Sequence, residues 1–208
     1  MIKVFFLIFE PRATWEKIAR VRHGFAFVLC LYLMPMILIS SAVEGWGLAR
    51  WGKWQPRFEK LKEFSVNGII SYEAVQAILL LLMVLLSSLI ILKISQTFQT
   101  RSKFLDAFTT VAYSCSPLLF AHLLDAGPTV SPWTSWIIGI LLTIWVMYEG
   151  IPNVIKPDPT HAFGLYLSAS IVVFMTSGMA RLLTALYLLG EVNFHHSWLT
   201  RQLPNLFQ

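Results

Sequence analysis

Charge is scarce in this chain. Asp, Glu, Lys and Arg make up only 13% of its 208 residues, about half the share with which a water-soluble domain covers its surface. Cysteine is scarcer still. Cys30 and Cys115 stand alone inside apolar runs, which excludes a disulfide framework and any cysteine-based metal site. A glycine-rich phosphate loop, a nucleophile elbow and a His-Glu-x-x-His pair are all missing. His195 and His196 have only Glu191 near them in the tail, too few donors for a metal ion. On these grounds the chain is expected not to be an enzyme, with no catalytic residues, no cofactor and no metal.

What the chain does have is apolar and contiguous. Hydrophobic residues make up 56% of it, gathered into runs long enough to cross a bilayer rather than scattered at core spacing. Five spans are expected, over 24–43, 74–92, 107–124, 133–148 and 162–189. The fold expected is therefore an all-α integral membrane protein, one transmembrane domain over 1–208. Pro35 falls mid-span and should kink the first helix. The third run carries Thr109, Thr110, Ser114, Ser116 and Pro117, which suits a helix packed among others rather than facing lipid all round. The apolar opening, Met1 to Phe9, is followed by Glu10-Pro11 with no small-residue cleavage site, so it does not read as a signal peptide.

Two segments read as interfacial. Pro11, Ala13, Trp15, Ile18 and Ala19 suggest a short helix before the first span, with proline in its first turn. Between the first two spans Trp46, Trp51, Trp54, Phe58, Leu61 and Phe64 interleave with Arg50, Lys53, Arg57 and Lys60, the pattern of a helix lying in the headgroup plane; an irregular aromatic loop is the alternative. The formal charge of +5 is explained by basic residues flanking the spans, where headgroups attract them, and nucleic acid is not an expected partner. With a cytoplasmic N-terminus, nine of the 16 Lys and Arg residues lie inside and seven outside. Between the last two spans Pro152, Pro157 and Pro159 predict an ordered or extended loop from Glu149 to His161.

Few residues could carry chemistry. His122 and Asp125 lie one turn apart at the end of the third span, and Arg181 lies about two turns from the end of the fifth. Alternating spans put these ends on one side, so an Asp125–Arg181 pair is within reach. An ionisable group at membrane depth costs roughly 2.5–3.5 kcal/mol to insert and is a candidate functional residue for that reason; stapling two helices is the structural alternative. Gly139 with Thr143, and Gly164 with Ser168, are spaced to let helices approach.

Three segments then stand in a telling order. They are Pro11-Arg12-Ala13-Thr14-Trp15-Glu16-Lys17-Ile18, then Ala112-Tyr113-Ser114-Cys115-Ser116-Pro117-Leu118-Leu119, then Trp145-Val146-Met147-Tyr148-Glu149-Gly150-Ile151-Pro152. Together they resemble the Yip domain family, the Ypt/Rab-interacting membrane proteins and their bacterial relatives. The resemblance implies five spans, a cytoplasmic N-terminus and a far-side C-terminus. The long N-terminal region of the trafficking members does not precede these motifs, so the resemblance is to a compact bacterial-type member, placed in an inner membrane, and it does not by itself carry the Rab binding of the eukaryotic relatives over to this chain. Read physically, Gly150 would end a helix in the left-handed conformation, Pro152 would stop it continuing, and Tyr148 would anchor it at headgroup level. Glu149 would then meet Lys93 or Lys103. The function expected is a non-enzymatic protein that organises membrane or partner proteins, its partners being lipids, other membrane proteins or itself. A small transporter or channel, and an accessory subunit of a larger complex, are the alternatives.

Overall fold

A backbone in hydrocarbon has only its own groups to bond with, and each long apolar run accordingly folds as a helix. The computed structural model describes residues 2–55, 60–100 and 102–188. Two short helices come first, α1 (Ile2–Phe9) and α2 (Pro11–Val21). Five helices long and apolar enough to cross a membrane follow: α3 (Phe25–Trp51), α4 (Val66–Thr97), α5 (Phe104–Ala126), α6 (Pro132–Ile155) and α7 (Pro159–Leu188). All five overlap the runs read from the sequence, and most extend beyond them at both ends. Hydropathy falls away at the headgroups, whereas a helix continues until something stops it.

Prolines shape the spans without ending them. Upstream of Pro35, α3 widens into a π-helical turn over Val28–Leu33, which accommodates the missing amide and the ring. In α5 the α-helix is interrupted at Cys115, two residues before Pro117, and its last turn, His122–Ala126, is a tighter 3-10 turn. In that interruption Ser116 donates to the Tyr113 carbonyl at 2.7 Å and hydrogen-bonds the Tyr32 hydroxyl of α3. Pro117 is thus a packing residue of the core, 83% of whose helix window is buried, against 33–39% for the other four spans. Helix α5 is the axis around which the rest are arranged.

The segment between α3 and α4 is not a headgroup-plane helix. Helix α3 runs on through Trp46 to Trp51 and stops at Gly52, whose φ of 68° only glycine adopts without strain. A two-stranded antiparallel hairpin follows, β1 (Lys53–Gln55) and β2 (Lys60–Lys62), with Trp54 opposite Leu61. Trp46, Trp51 and Trp54 are exposed, whereas Lys53 is buried; Phe58 lies outside the described residues, as do His195 and His196.

The other end of the bundle also departs from the sequence reading. Gly150 is right-handed helical, at φ −68° and ψ −45°, and α6 continues through Pro152 in a π turn to Ile155. The residue in the left-handed region is Lys156. Gly150 is needed for another reason: a Cβ there would sit 2.7 Å from the Trp15 ring. Trp15 is itself fully buried, not interfacial, and its Nε1 donates to the Val146 carbonyl at 2.9 Å. Helix α2 is therefore bolted beneath α6, with Pro11 in its first turn as expected.

Candidate functional site

Close helix approach at one point assembles the site. A Cβ on Gly47 would lie 2.4 Å from the Ala126 carbonyl oxygen, so only glycine lets the last turn of α5 press on α3. Beside that contact the Lys53 ammonium, carried back by the hairpin, donates to the Asp125 carbonyl at 2.7 Å and to that of Gly127 at 3.1 Å. It caps the carbonyl end of α5, where a cation also suits the helix dipole. Burial disfavours the charged form and lowers the pKa of Lys53, against the pull of the Asp125 carboxylate. The Trp54 amide adds a bond to the Pro128 carbonyl at 3.0 Å.

His122, Asp125 and Arg181 are brought together, all buried. One Nη of Arg181 makes an ion pair with Asp125 Oδ2 and donates to Ser135 Oγ at 2.9 Å, while its Nε donates to the Pro132 carbonyl at 2.8 Å. The other Nη lies 3.4 Å from His122 Nδ1. Ser135 in turn donates to Asp125 Oδ1 at 2.7 Å. The guanidinium fork thereby joins α5, α6 and α7.

The sequence reading missed the other half of the cluster. Glu44 of α3 is fully buried, accepts from the Tyr72 hydroxyl at 3.0 Å and from Gln76 Nε2, and lies 4.0 Å from His122 Nδ1. Tyr72 and Gln76 belong to α4, so every span contributes. Glu73, against Gly45, adds a second carboxylate whose oxygens are buried nearby. Glu44, His122 and Asp125 present donor atoms within 4.8 Å of one another. Those atoms are already engaged by Arg181, Gln76 and Tyr72, and a metal ion would have to take the place of the guanidinium. A cavity with about 10 Å³ of room, the size of one water centre, adjoins the cluster between Gln76, His122, Trp136 and Arg181.

The remaining sequence candidates lie at the opposite end. Tyr148 is exposed and stacks edge-on with Tyr166 at 5.3 Å. The Glu149 carbonyl accepts from Asn153 Nδ2 at 2.8 Å, and among the described residues Glu149 makes no ion pair with Lys93 or Lys103. Gly150 therefore forms the joint between α6 and α2, Tyr148 packs on α7, and Tyr148, Glu149, Gly150 and Pro152 lie apart from the charge cluster. Of the small-residue pairs, Gly139 meets Leu118 of α5, with Thr143 buried one turn on; Gly164 lies against Phe98.

No curated protein and no solved structure matches the chain. The family model described as the Yip1 domain matches residues 5–181, from α1 through Arg181 itself. With that match over most of its length and five helices apolar enough to cross a membrane, the chain belongs to the Yip1 domain family.

Proposed function

We propose that the protein is non-enzymatic and organises the bilayer around it, and through the bilayer its membrane-protein neighbours, from a bacterial inner membrane with its N-terminus in the cytoplasm. The observation that carries this reading is the immobilised amphipathic helix α2. Trp15 and Ile18 are buried in the bundle while Arg12, Lys17 and Arg20 are exposed, Arg12 lying 3.8 Å from the Glu16 carboxylate, so the protein holds a fixed shelf of net basic charge beside the start of its first span. Basic groups at a headgroup surface attract anionic lipid by about 1 kcal/mol each. A shelf that cannot swing away concentrates that attraction at one place.

The test is lipid diffusion in vesicles containing the purified chain, with labelled phosphatidylglycerol or labelled phosphatidylcholine. The native chain should slow the anionic lipid selectively, and a variant with Arg12, Lys17 and Arg20 all changed to Gln should not. Equal diffusion of the two lipids around the native chain would sink the proposal.

The ionisable cluster favours a second reading, a small proton or ion transporter, because His122 sits between two carboxylates and a guanidinium within the span region. A pH-sensitive dye inside the same vesicles decides it. Flux that disappears in His122→Gln and Arg181→Gln would establish transport, and native vesicles no leakier than empty ones would remove it.

A further inference from the structure

Two cavities adjoin at the α2 end of the bundle and differ in chemistry. One, of about 140 Å³, lies between α2 and the ends of α5 and α6; Arg22, His23, Lys103 and Lys156 line it, together with Asp106. The acid is engaged locally, since Asp106 Oδ2 accepts from the Lys103 amide at 3.0 Å and so caps α5. The other, of about 450 Å³, is walled by Phe6 of α1 and by Ala13, Ile18 and Val21 of α2, with Glu10 and Lys17 of opposite charge also on its lining. Ile18 and His23 line both cavities. A basic cavity thus opens beside an apolar groove at a membrane end of the bundle.

The backbone singles out the basic cavity independently. Among the described residues, three non-glycine residues have positive φ, namely Arg22 at 44°, Gln99 at 58° and Lys156 at 55°. Two of the three line this one cavity. Each ends a helix, the Arg22 amide bonding the Ile18 carbonyl and the Lys156 amide that of Ile151, both at 3.2 Å. Glycine is the ordinary residue for such an end, and a side chain there is strained. Backbone strain at two positions around one cavity directs attention to the side chains that those positions place there.

We infer that the pair of cavities holds one anionic phospholipid, its phosphate among Arg22, Lys103 and Lys156 and an acyl chain in the groove between α1 and α2. The inference rests on the proposed bilayer-organising function and narrows it to a single bound lipid. Phosphate is the group that matches three converging cations. A soluble phosphate ester offers the same charge but has nothing to place in the groove.

The experiment uses the full chain in mild detergent, read by native mass spectrometry and by thermal unfolding, with phosphatidylglycerol, phosphatidylcholine, glycerol phosphate or inorganic phosphate added. Phosphatidylglycerol should remain bound one to one and raise the melting temperature, and phosphatidylcholine should not. The double variant Arg22→Gly, Lys156→Gly relaxes the backbone, so without lipid it should melt no lower than native. Losing two basic groups, it should hold phosphatidylglycerol roughly thirtyfold more weakly. Ala13→Trp fills the groove and should displace the lipid alone. Unchanged lipid retention in the double variant overturns the inference. So does stabilisation by glycerol phosphate or inorganic phosphate equal to that by phosphatidylglycerol, which would make the cavity a soluble-anion site. Selective slowing of anionic lipid in vesicles without a stoichiometric bound lipid would overturn this inference and leave the wider function standing.

Discussion

A guanidinium sealed inside a helix bundle can be removed in two ways that differ in cost. Arg181→Gln leaves the Asp125 carboxylate buried with Ser135 and, at 3.4 Å, His122 as its remaining partners, and a buried charge that has lost its ion-pair partner costs about 3–5 kcal/mol. Removing both charges with Arg181→Met and Asp125→Leu leaves neither member of that ion pair unmatched, so the double variant should be more stable than either single one. Thermal unfolding in detergent orders the three variants, and additive losses would show that the two residues act separately. A gentler effect is expected at the start of α7. The Asp158 carboxylate accepts from the Thr160 amide at 3.2 Å and from its hydroxyl at 3.0 Å, and these bonds hold its pKa below the ordinary value. A depressed carboxyl stabilises the fold above its ordinary pKa and loses that contribution as pH falls through the folded value. The protection of the Thr160 amide, its exchange rate relative to that of an unstructured chain at the same pH, should therefore fall on acidification in the native chain, and in Asp158→Ala it should already be low at neutral pH.

Among the helices, α2 is the one held against α6 through a single side chain, Trp15, at Gly150 and the Val146 carbonyl. Gly150→Ala would set a methyl 2.7 Å from the Trp15 ring, a distance the packed joint must open to accept, at about 1–3 kcal/mol. Trypsin should then cut at Arg20 and Arg22 far sooner than in the native chain while the spans stay intact; unchanged cleavage would mean that α1 alone fixes the shelf. This joint also shows what was legible beforehand. Sequence marked Gly150 as special, but a glycine serves either a left-handed turn or a close approach, and only the neighbouring helix distinguishes the two. The ionic cluster divided in the same way. His122, Asp125 and Arg181 stood out as ionisable groups in or beside apolar runs, whereas Glu44 and Tyr72 fall just outside the first two runs and Gln76, inside the second, carries no charge to single it out. Hydropathy locates hydrocarbon, and α3 and α4 continue past it, carrying Glu44 and Tyr72 into the bundle.

Taken whole, the bundle has two unlike ends. One is drawn tight by Lys53, Glu44, Asp125 and Arg181, with side chains from all five spans converging; the other carries α1, α2 and the basic cavity. The five spans and the central place of α5 were readable from run length and from the hydroxyls of the third run. The hairpin was not, because the alternation of aromatic and basic residues from Trp46 to Phe64 suits a helix lying flat as well as a helix end followed by two strands. The proposed function requires the α2 end to face the cytoplasm, where the anionic headgroups it would gather meet the basic shelf. That orientation is open to thiol labelling, since Cys115 is buried and Cys30 is the one exposed thiol. In a Cys30→Ala background, Thr129→Cys lies in the turn between α5 and α6 at the cluster end, and Thr100→Cys lies between α4 and α5 at the α2 end. A membrane-impermeant maleimide added to intact cells should label position 129, and should reach position 100 only after the membrane is opened. The reverse pattern would put the basic shelf outside and remove the basis for its action on cytoplasmic lipid, while leaving the charge cluster and its role in holding the five helices unaffected.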